Sequence, residues 1–186
     1  WVGNGADPGA GGGVTAYATI GRAARAIRDY NNTNRSRDDV GGGIIFLKAG
    51  SYNWLGATIS GGYGSTPKDW LTVKPFTSVA RSAVSITGKS GDTNITDRVK
   101  LEGITFNTTT DTTFAGQDAT WMHDCDMTTT STAVWNTTGQ VVWITQSDIN
   151  SFAMGLKAFS TANVSFSLVR GCNLDGFNAG ICPYTF

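Results

Sequence analysis

Charge is scarce in this chain. Of its 186 residues, 14 are Lys or Arg and 14 are Asp or Glu, so the net charge is zero. A nucleic-acid partner ordinarily needs a basic face, and this balance argues against one. Proline occurs four times and histidine once, as His123. No apolar run approaches the ~20 residues of a membrane-spanning helix, so no membrane span is expected. Gly11-Gly-Gly13 and Gly41-Gly-Gly43 lack the Lys-Ser/Thr pair and the helix of a phosphate-binding loop. Zinc-type Cys/His spacing is also missing. The chain begins at Trp1 with no signal-peptide pattern, and no polar capping segment follows Gly180-Ile-Cys-Pro-Tyr184. A processed or incomplete chain is therefore expected.

Glycine, by contrast, is abundant at 24 residues, and Thr is dense from 105 to 138. Short apolar runs between Gly, Asn, Ser and Thr clusters imply many short strands. Within residues 98–174 one motif recurs four times: Arg98-Val-Lys-Leu-Glu-Gly-Ile-Thr-Phe106, Ala119-Thr-Trp-Met-His-Asp-Cys-Asp-Met127, Gln140-Val-Val-Trp-Ile-Thr-Gln-Ser-Asp-Ile149 and Phe166-Ser-Leu-Val-Arg-Gly-Cys-Asn-Leu174. The anchors Phe106, Met127, Ile149 and Leu174 step by 21, 22 and 25 residues. A period of that length is the mark of a repeat architecture. Between the motifs lie second strands, since Ile149-Asn-Ser-Phe-Ala-Met-Gly-Leu156 parallels Leu174-Asp-Gly-Phe-Asn-Ala-Gly-Ile181. Two or three short strands per repeat, stacked in columns, describe an all-β solenoid.

Upstream, residues 1–16 read as an irregular lead-in. Residues 17–30 read as a helix, with Ile20, Ala23, Ala24, Ile27 and Tyr30 on one face and Arg22, Arg25, Arg28 and Asp29 on the other. Thr19 is a suitable N-cap. The arginines are most simply a solvated face, with an anion-binding patch as the alternative. A polar loop runs to 43. Ile44-Ile-Phe-Leu47 is then a buried strand, followed by Lys48-Ala-Gly-Ser-Tyr52. Strands are also expected at 57–60, 70–74 and 83–87, with glycine turns at 61–62 and 88–91. The register of 44–97 does not follow from the spacing.

This opening of short amphipathic helix, glycine break, strand and Gly-x-Tyr turn resembles the pectin-lyase-like superfamily. The resemblance covers most of the chain as a fold pattern and reaches no single enzyme family. It implies a right-handed parallel β-helix over 44–186, a capping α-helix and loop over 17–43, and a single domain overall; the expected location is extracellular, secreted or surface-attached.

Three cysteines leave at least one free or paired between chains. Cys125 and Cys172 hold equivalent positions two repeats apart, which is ~9.6 Å in stacked strands. A disulfide needs Cα atoms within about 7 Å. Cys125 therefore reads as a small buried apolar residue, while Cys172–Cys182 stays open as a pair.

Aligned repeats give columns, and period-two alternation sorts them. Leu101, Met122, Ile144 and Val169 point inwards, as do Phe106, Met127, Ile149 and Leu174. Three outward columns can carry chemistry. One stacks Glu102, His123, Thr145 and Arg170. An imidazole beside a carboxylate suits proton transfer, and Arg170 suits a substrate carboxylate. Lyases of the superfamily neutralise a uronate carboxylate and take the C5 proton with a base, so the resemblance implies His123 and Arg170 in those roles with Glu102 orienting. A second column holds Thr105, Asp126, Asp148 and Asn173. Stacked carboxylates repel unless a cation intervenes, and several β-helix lyases bind calcium this way. Asp126 and Asp148 are thus the candidate calcium ligands, or an acid–base pair in a hydrolase. The third column, Lys100, Trp121, Trp143 and Leu168, reads as a flat apolar platform for sugar faces. An ordinary polar ladder, turn-capping Asp residues and packed tryptophans are the plainer alternatives for the three.

The expectation is a secreted, carbohydrate-active β-helix protein that binds an acidic polysaccharide, with β-elimination as its reaction if it is an enzyme. The alternative is a non-catalytic tailspike-like, adhesive or fibre-forming module, assembling as a homo-oligomer or filament through its ends. Sequons at Asn31, Asn34, Asn94, Asn107, Asn136 and Asn163 matter only in a secreted eukaryotic protein.

Overall fold

A computed structural model describes residues 16–34, 42–53, 59–60, 70–87, 93–96, 98–108, 113–116, 119–129, 134–137, 141–151, 157–158, 166–171 and 173–175. The lead-in before residue 16, both glycine turns, Cys172 and Cys182 lie outside these.

Helix α1 spans Ile20–Asn34. It begins at Ile20 rather than Tyr17, because Thr19 caps it. The Thr19 hydroxyl accepts from the Arg22 N–H at 3.2 Å, a bond whose loss would cost about 1 kcal/mol. Ile20, Ala23 and Ala24 are buried. Tyr30, expected on the same face, is 64% exposed, since burial fades after Ile27.

The strands follow in trios. First come β1 (Gly43–Leu47), β2 (Gly50–Asn53) and β3 (Ile59–Ser60), then β4 (Leu71–Pro75), β5 (Val84–Thr87) and β6 (Thr93–Thr96). β7 (Val99–Glu102), β8 (Thr105–Thr108) and β9 (Thr113–Gly116) make the third trio, and β10 (Ala119–His123), β11 (Asp126–Thr129) and β12 (Val134–Thr137) the fourth. β13 (Val141–Thr145), β14 (Asp148–Ser151), β15 (Lys157–Ala158), β16 (Phe166–Arg170) and β17 (Asn173–Asp175) complete the described strands. Each sheet takes every third strand, and every pairing is parallel. The first sheet runs β1-β4-β7-β10-β13-β16, the second β2-β5-β8-β11-β14-β17, and the third β3-β6-β9-β12-β15.

Register agrees with all five sequence-derived columns. Leu101 pairs with Met122, Met122 with Ile144 and Ile144 with Val169. The early rows, illegible from spacing, also resolve: Gly43, Leu71 and Val99 pair in succession at steps of 28 residues. In the second sheet Tyr52, Ile86 and Phe106 pair at steps of 34 and 20. The mismatch arises at residues 76–83, an excursion between β4 and β5 that ends in a 3-10 turn at Arg81–Ala83.

Alternation along the first sheet builds the core. Ile45, Leu47, Leu71, Val73, Val99, Leu101, Met122 and Ile144 are buried and meet Val84, Ile86 and Phe106 from the second sheet in one cluster. Each such side chain contributes about 1.5–3 kcal/mol relative to exposure. Ile44 was expected to be buried with its strand, but it is 49% exposed because alternate residues face outwards. The helix joins this cluster through Ile20, Ala23 and Ala24 and packs against β1 and β3. Gly43 permits the approach: it sits at φ +138°, and a Cβ there would come within 2.8 Å of Ile27 Cγ2.

Two-residue corners join the first sheet to the second. Their leading residues Gly103, Asp124, Gln146 and Gly171 have φ of 62°, 51°, 52° and 63°. Glycine adopts this left-handed conformation freely, and Asp is among the more tolerant side chains. The ladder continues around the bend: Gly103 N donates to His123 O, Asp124 N to Thr145 O and Gln146 N to Arg170 O, at 2.9–3.0 Å. The following residues, Ile104, Cys125 and Ser147, are buried. Ser147 Oγ donates to Thr145 O and accepts from Cys125 N, which satisfies a hydroxyl inside the core.

Candidate functional site

The outward residues of the first sheet form two parallel columns. One holds Lys100, Trp121 and Trp143, with Leu168 next in register; the other holds Glu102, His123, Thr145 and Arg170. Every candidate catalytic and substrate-binding residue named from the sequence therefore shares one sheet face. Asp126 and Asp148 pair in register on the second sheet, beyond the corner.

His123 is half-buried, and its Nδ1 lies 2.9 Å from Thr145 Oγ1. The same hydroxyl accepts from Trp121 Nε1 at 2.9 Å. A hydroxyl has one proton and two lone pairs, so Thr145 can donate to a neutral Nδ1 or accept from a protonated one. The imidazole is thus oriented by Thr145, one row away. Glu102, expected to orient the ring, flanks it in register on the other side. Arg170 stands opposite Thr145, two rows or ~9.6 Å of backbone from His123.

Glu102 is held by two lysines instead. Lys100 Nζ is 2.6 Å from Oε2 and Lys74 Nζ is 3.6 Å from Oε1. The Lys100 hydrogen bond, opposed by desolvation and assisted by the charges of Lys100, Lys74 and His123, keeps this carboxyl below its ordinary range. Both ammonium groups also lie over aromatic rings: Lys100 is 4.1 Å from the Trp121 centroid and Lys74 is 5.9 Å from that of Phe46.

The tryptophans do not form the flat platform expected from their register. Trp121 and Trp143 meet at 78° with centroids 5.3 Å apart, an edge-to-face pair. Trp70 joins them, 6.0 Å from Trp121 and 5.7 Å from Trp143. The result is a three-ring cluster with Lys100 over one face of Trp121.

Beyond the corner, the 76–83 excursion delivers Arg81. Its Nη1 is 2.6 Å from Asp124 Oδ1 and also donates to the Asp124 carbonyl at 3.2 Å; its Nη2 is 3.1 Å from Asp126 Oδ2. One member of the stacked pair, Asp126, thus has a guanidinium supplied by the chain as its cation. Calcium takes six to eight oxygens. Arg81 engages one oxygen of Asp126, and among the described residues no group of three or more His, Cys, Asp or Glu is arranged to hold a metal. Burial raises the Asp126 carboxyl above its ordinary value; Arg81 opposes this, and Asp148 and Asp124 add to it. Cys125 is fully buried with its thiol near the Leu101 and His123 carbonyls, and burial pushes it up to about 12. It is inert packing rather than a nucleophile.

Three residues of this face, Lys74, Trp70 and Thr145 with its hydroxyl, and Arg81 beyond the corner were not singled out for roles from the sequence. Lys74 would follow from the 28-residue steps once known, since they set it level with Glu102; Trp70 falls level with Arg98, ahead of the columns. Arg81 carries no positional signal, since it lies in an excursion outside the repeat. Among the described residues no helix is long and apolar enough to cross a membrane. No protein-family model, curated protein or solved structure matches the chain.

Proposed function

We propose that this chain is a secreted, right-handed parallel β-helix of the pectin-lyase-like kind, whose first-sheet outer face binds an acidic polysaccharide. The pairing of every third strand, all in parallel, supports the fold. One observation carries the function: Glu102, His123, Thr145 and Arg170 stand in a single column beside the Lys100–Trp121–Trp143 column. Lys74, Lys100 and Arg170 against Glu102 give the face a cationic surplus suited to polyanions. The indole cluster adds apolar surface for sugar faces. Catalysis would take the form of β-elimination. Arg170 would neutralise a uronate carboxylate. His123, with Nδ1 engaged by Thr145, would take the C5 proton at Nε2; the electron pair would form the C4–C5 double bond as the glycosidic oxygen leaves.

Calorimetric titration with a panel of polyuronates tests binding, and the ultraviolet absorbance of an unsaturated product tests cleavage. Binding that weakens about tenfold or more in Trp143→Ala supports the reading. Absence of binding across the panel overturns it.

A second reading, a structural or adhesive module, draws on the edge-to-face packing of Trp121 against Trp143. Rings packed on one another serve stability. Under that reading Trp143→Ala lowers the melting temperature and leaves polymer binding absent throughout.

A further inference from the structure

Glu102 is the one acidic side chain in the outward columns of the first sheet that the described pairings align with His123, and it is flanked by cations on two rows. Lys74 comes from β4, and Lys100 shares β7 with Glu102. Each ammonium has a second anchor in an aromatic ring, Phe46 for Lys74 and Trp121 for Lys100. The lysines therefore keep their places without the carboxylate. Two positive charges face one negative charge, so the cluster has anion-binding capacity beyond its internal pair. The Lys100 side chain is only 17% exposed. An incoming anion reaches its ammonium best through the position that Glu102 now fills.

We propose that Lys74 and Lys100 form a carboxylate subsite for the polymer, and that Glu102 occupies it as an internal competitor in the unliganded protein. This rests on the acidic-polysaccharide reading above. The exchange is like for like: a planar carboxylate bridging two ammonium groups leaves, and a uronate carboxylate takes its place. Glu102 sets a threshold. Neutral glycans gain nothing from displacing it, and isolated weak anions gain little, whereas a polymer with neighbouring contacts along the column gains the pair of charge-assisted bonds.

The test compares wild type with Glu102→Gln by titration with polygalacturonate and with uncharged galactan at low ionic strength. Glu102→Gln should bind the polyuronate about three- to fivefold more tightly, the scale of one partly exposed ion pair, with galactan unaffected. Glu102→Ala should show the same gain, and Lys100→Met in the Glu102→Gln background should cancel it. Equal or weaker polyuronate binding by both Glu102 variants overturns the competitor role and makes Glu102 an organiser of the lysines. Binding by all proteins without the gain sinks only this inference. Binding by none sinks the functional reading as well.

Discussion

Glu102 and Asp126 carry the same chemical group on neighbouring sheets at nearly equal exposure, 29% and 30%, and each faces a cation. Their acidities nevertheless move in opposite directions, Glu102 down and Asp126 up. Burial leads at Asp126 and the Lys100 hydrogen bond leads at Glu102, and the count of neighbouring charges adds to the difference. Glu102 has two lysines to itself. Asp126 shares the single guanidinium of Arg81 with Asp124, while Asp148 pairs beside it in register. A salt bridge alone does not decide where a carboxyl titrates; burial sets the starting penalty, and hydrogen bonds and the local count of cations against carboxylates act on it.

Removing Arg81 should break this comparison most visibly. Arg81→Ala leaves Asp124 and Asp126 without their cation, with Asp148 in register beside Asp126. A loss of about 1 kcal/mol is expected for these partly exposed pairs, or roughly 2–4 °C in thermal unfolding followed by circular dichroism. The Asp126 carboxyl should rise further, as carboxyl chemical shifts in an NMR titration would show. An unchanged melt would mean that the excursion is held by Phe76 and its neighbours alone.

Calcium sharpens the contrast with a smaller effect. In Arg81→Ala the freed oxygens of Asp124 and Asp126, with Asp148 in register beside them, should gain a use for a divalent cation, so calcium should recover part of the lost melting temperature. Wild type, with its guanidinium in place, should show no such shift. A rise of equal size in both proteins would place the metal elsewhere.

The smallest effect is on the pH dependence of stability. Glu102 is lowered from 4.5, so its contribution is present above that value and fades as pH falls through the lowered one. Asp126 is raised from 3.8, so its contribution is present below 3.8 and fades as pH rises through the raised value. The two slopes oppose each other on the acid side. Urea midpoints over that range should rise more steeply with pH in Asp126→Asn than in wild type, and less steeply in Glu102→Gln. Matching slopes in the two variants would contradict the opposed shifts.

Much of this contrast was legible in the sequence, though unevenly. Columns from Val99 onwards could be drawn because the 21-, 22- and 25-residue steps preserve a repeated motif, and strand pairing depends on that motif. Rows before Val99 step by 28 in the first sheet and by 34 and 20 in the second, so no single period aligns them. Lys74 was missed for that reason, and with it the second cation on Glu102. Ile44-Ile-Phe-Leu47 is a continuous apolar run, which hides the alternation that exposes Ile44. Register fixes which indoles are neighbours but not the angle between their rings, so the platform became an edge-to-face cluster. The partner of His123 was ambiguous for a related reason. Glu102 and Thr145 flank it equally in register, and only side-chain geometry selects Thr145.

The corners between the first and second sheets hold two residues each after β1, β7, β10, β13 and β16, and eight only after β4. Residues gained or lost between repeats fall elsewhere: two separate β9 from β10, three separate β12 from β13, and seven separate β15 from β16. From β7 onwards the chain thus has one inelastic seam and one elastic seam. A single residue inserted at 124–125 would swing Asp126 and its followers to the opposite face, whereas extra length ahead of β10, β13 or β16 leaves every column intact. Loops grafted on the elastic side would enter beside the tryptophans, which makes that border the place to engineer a new recognition surface without disturbing the stack.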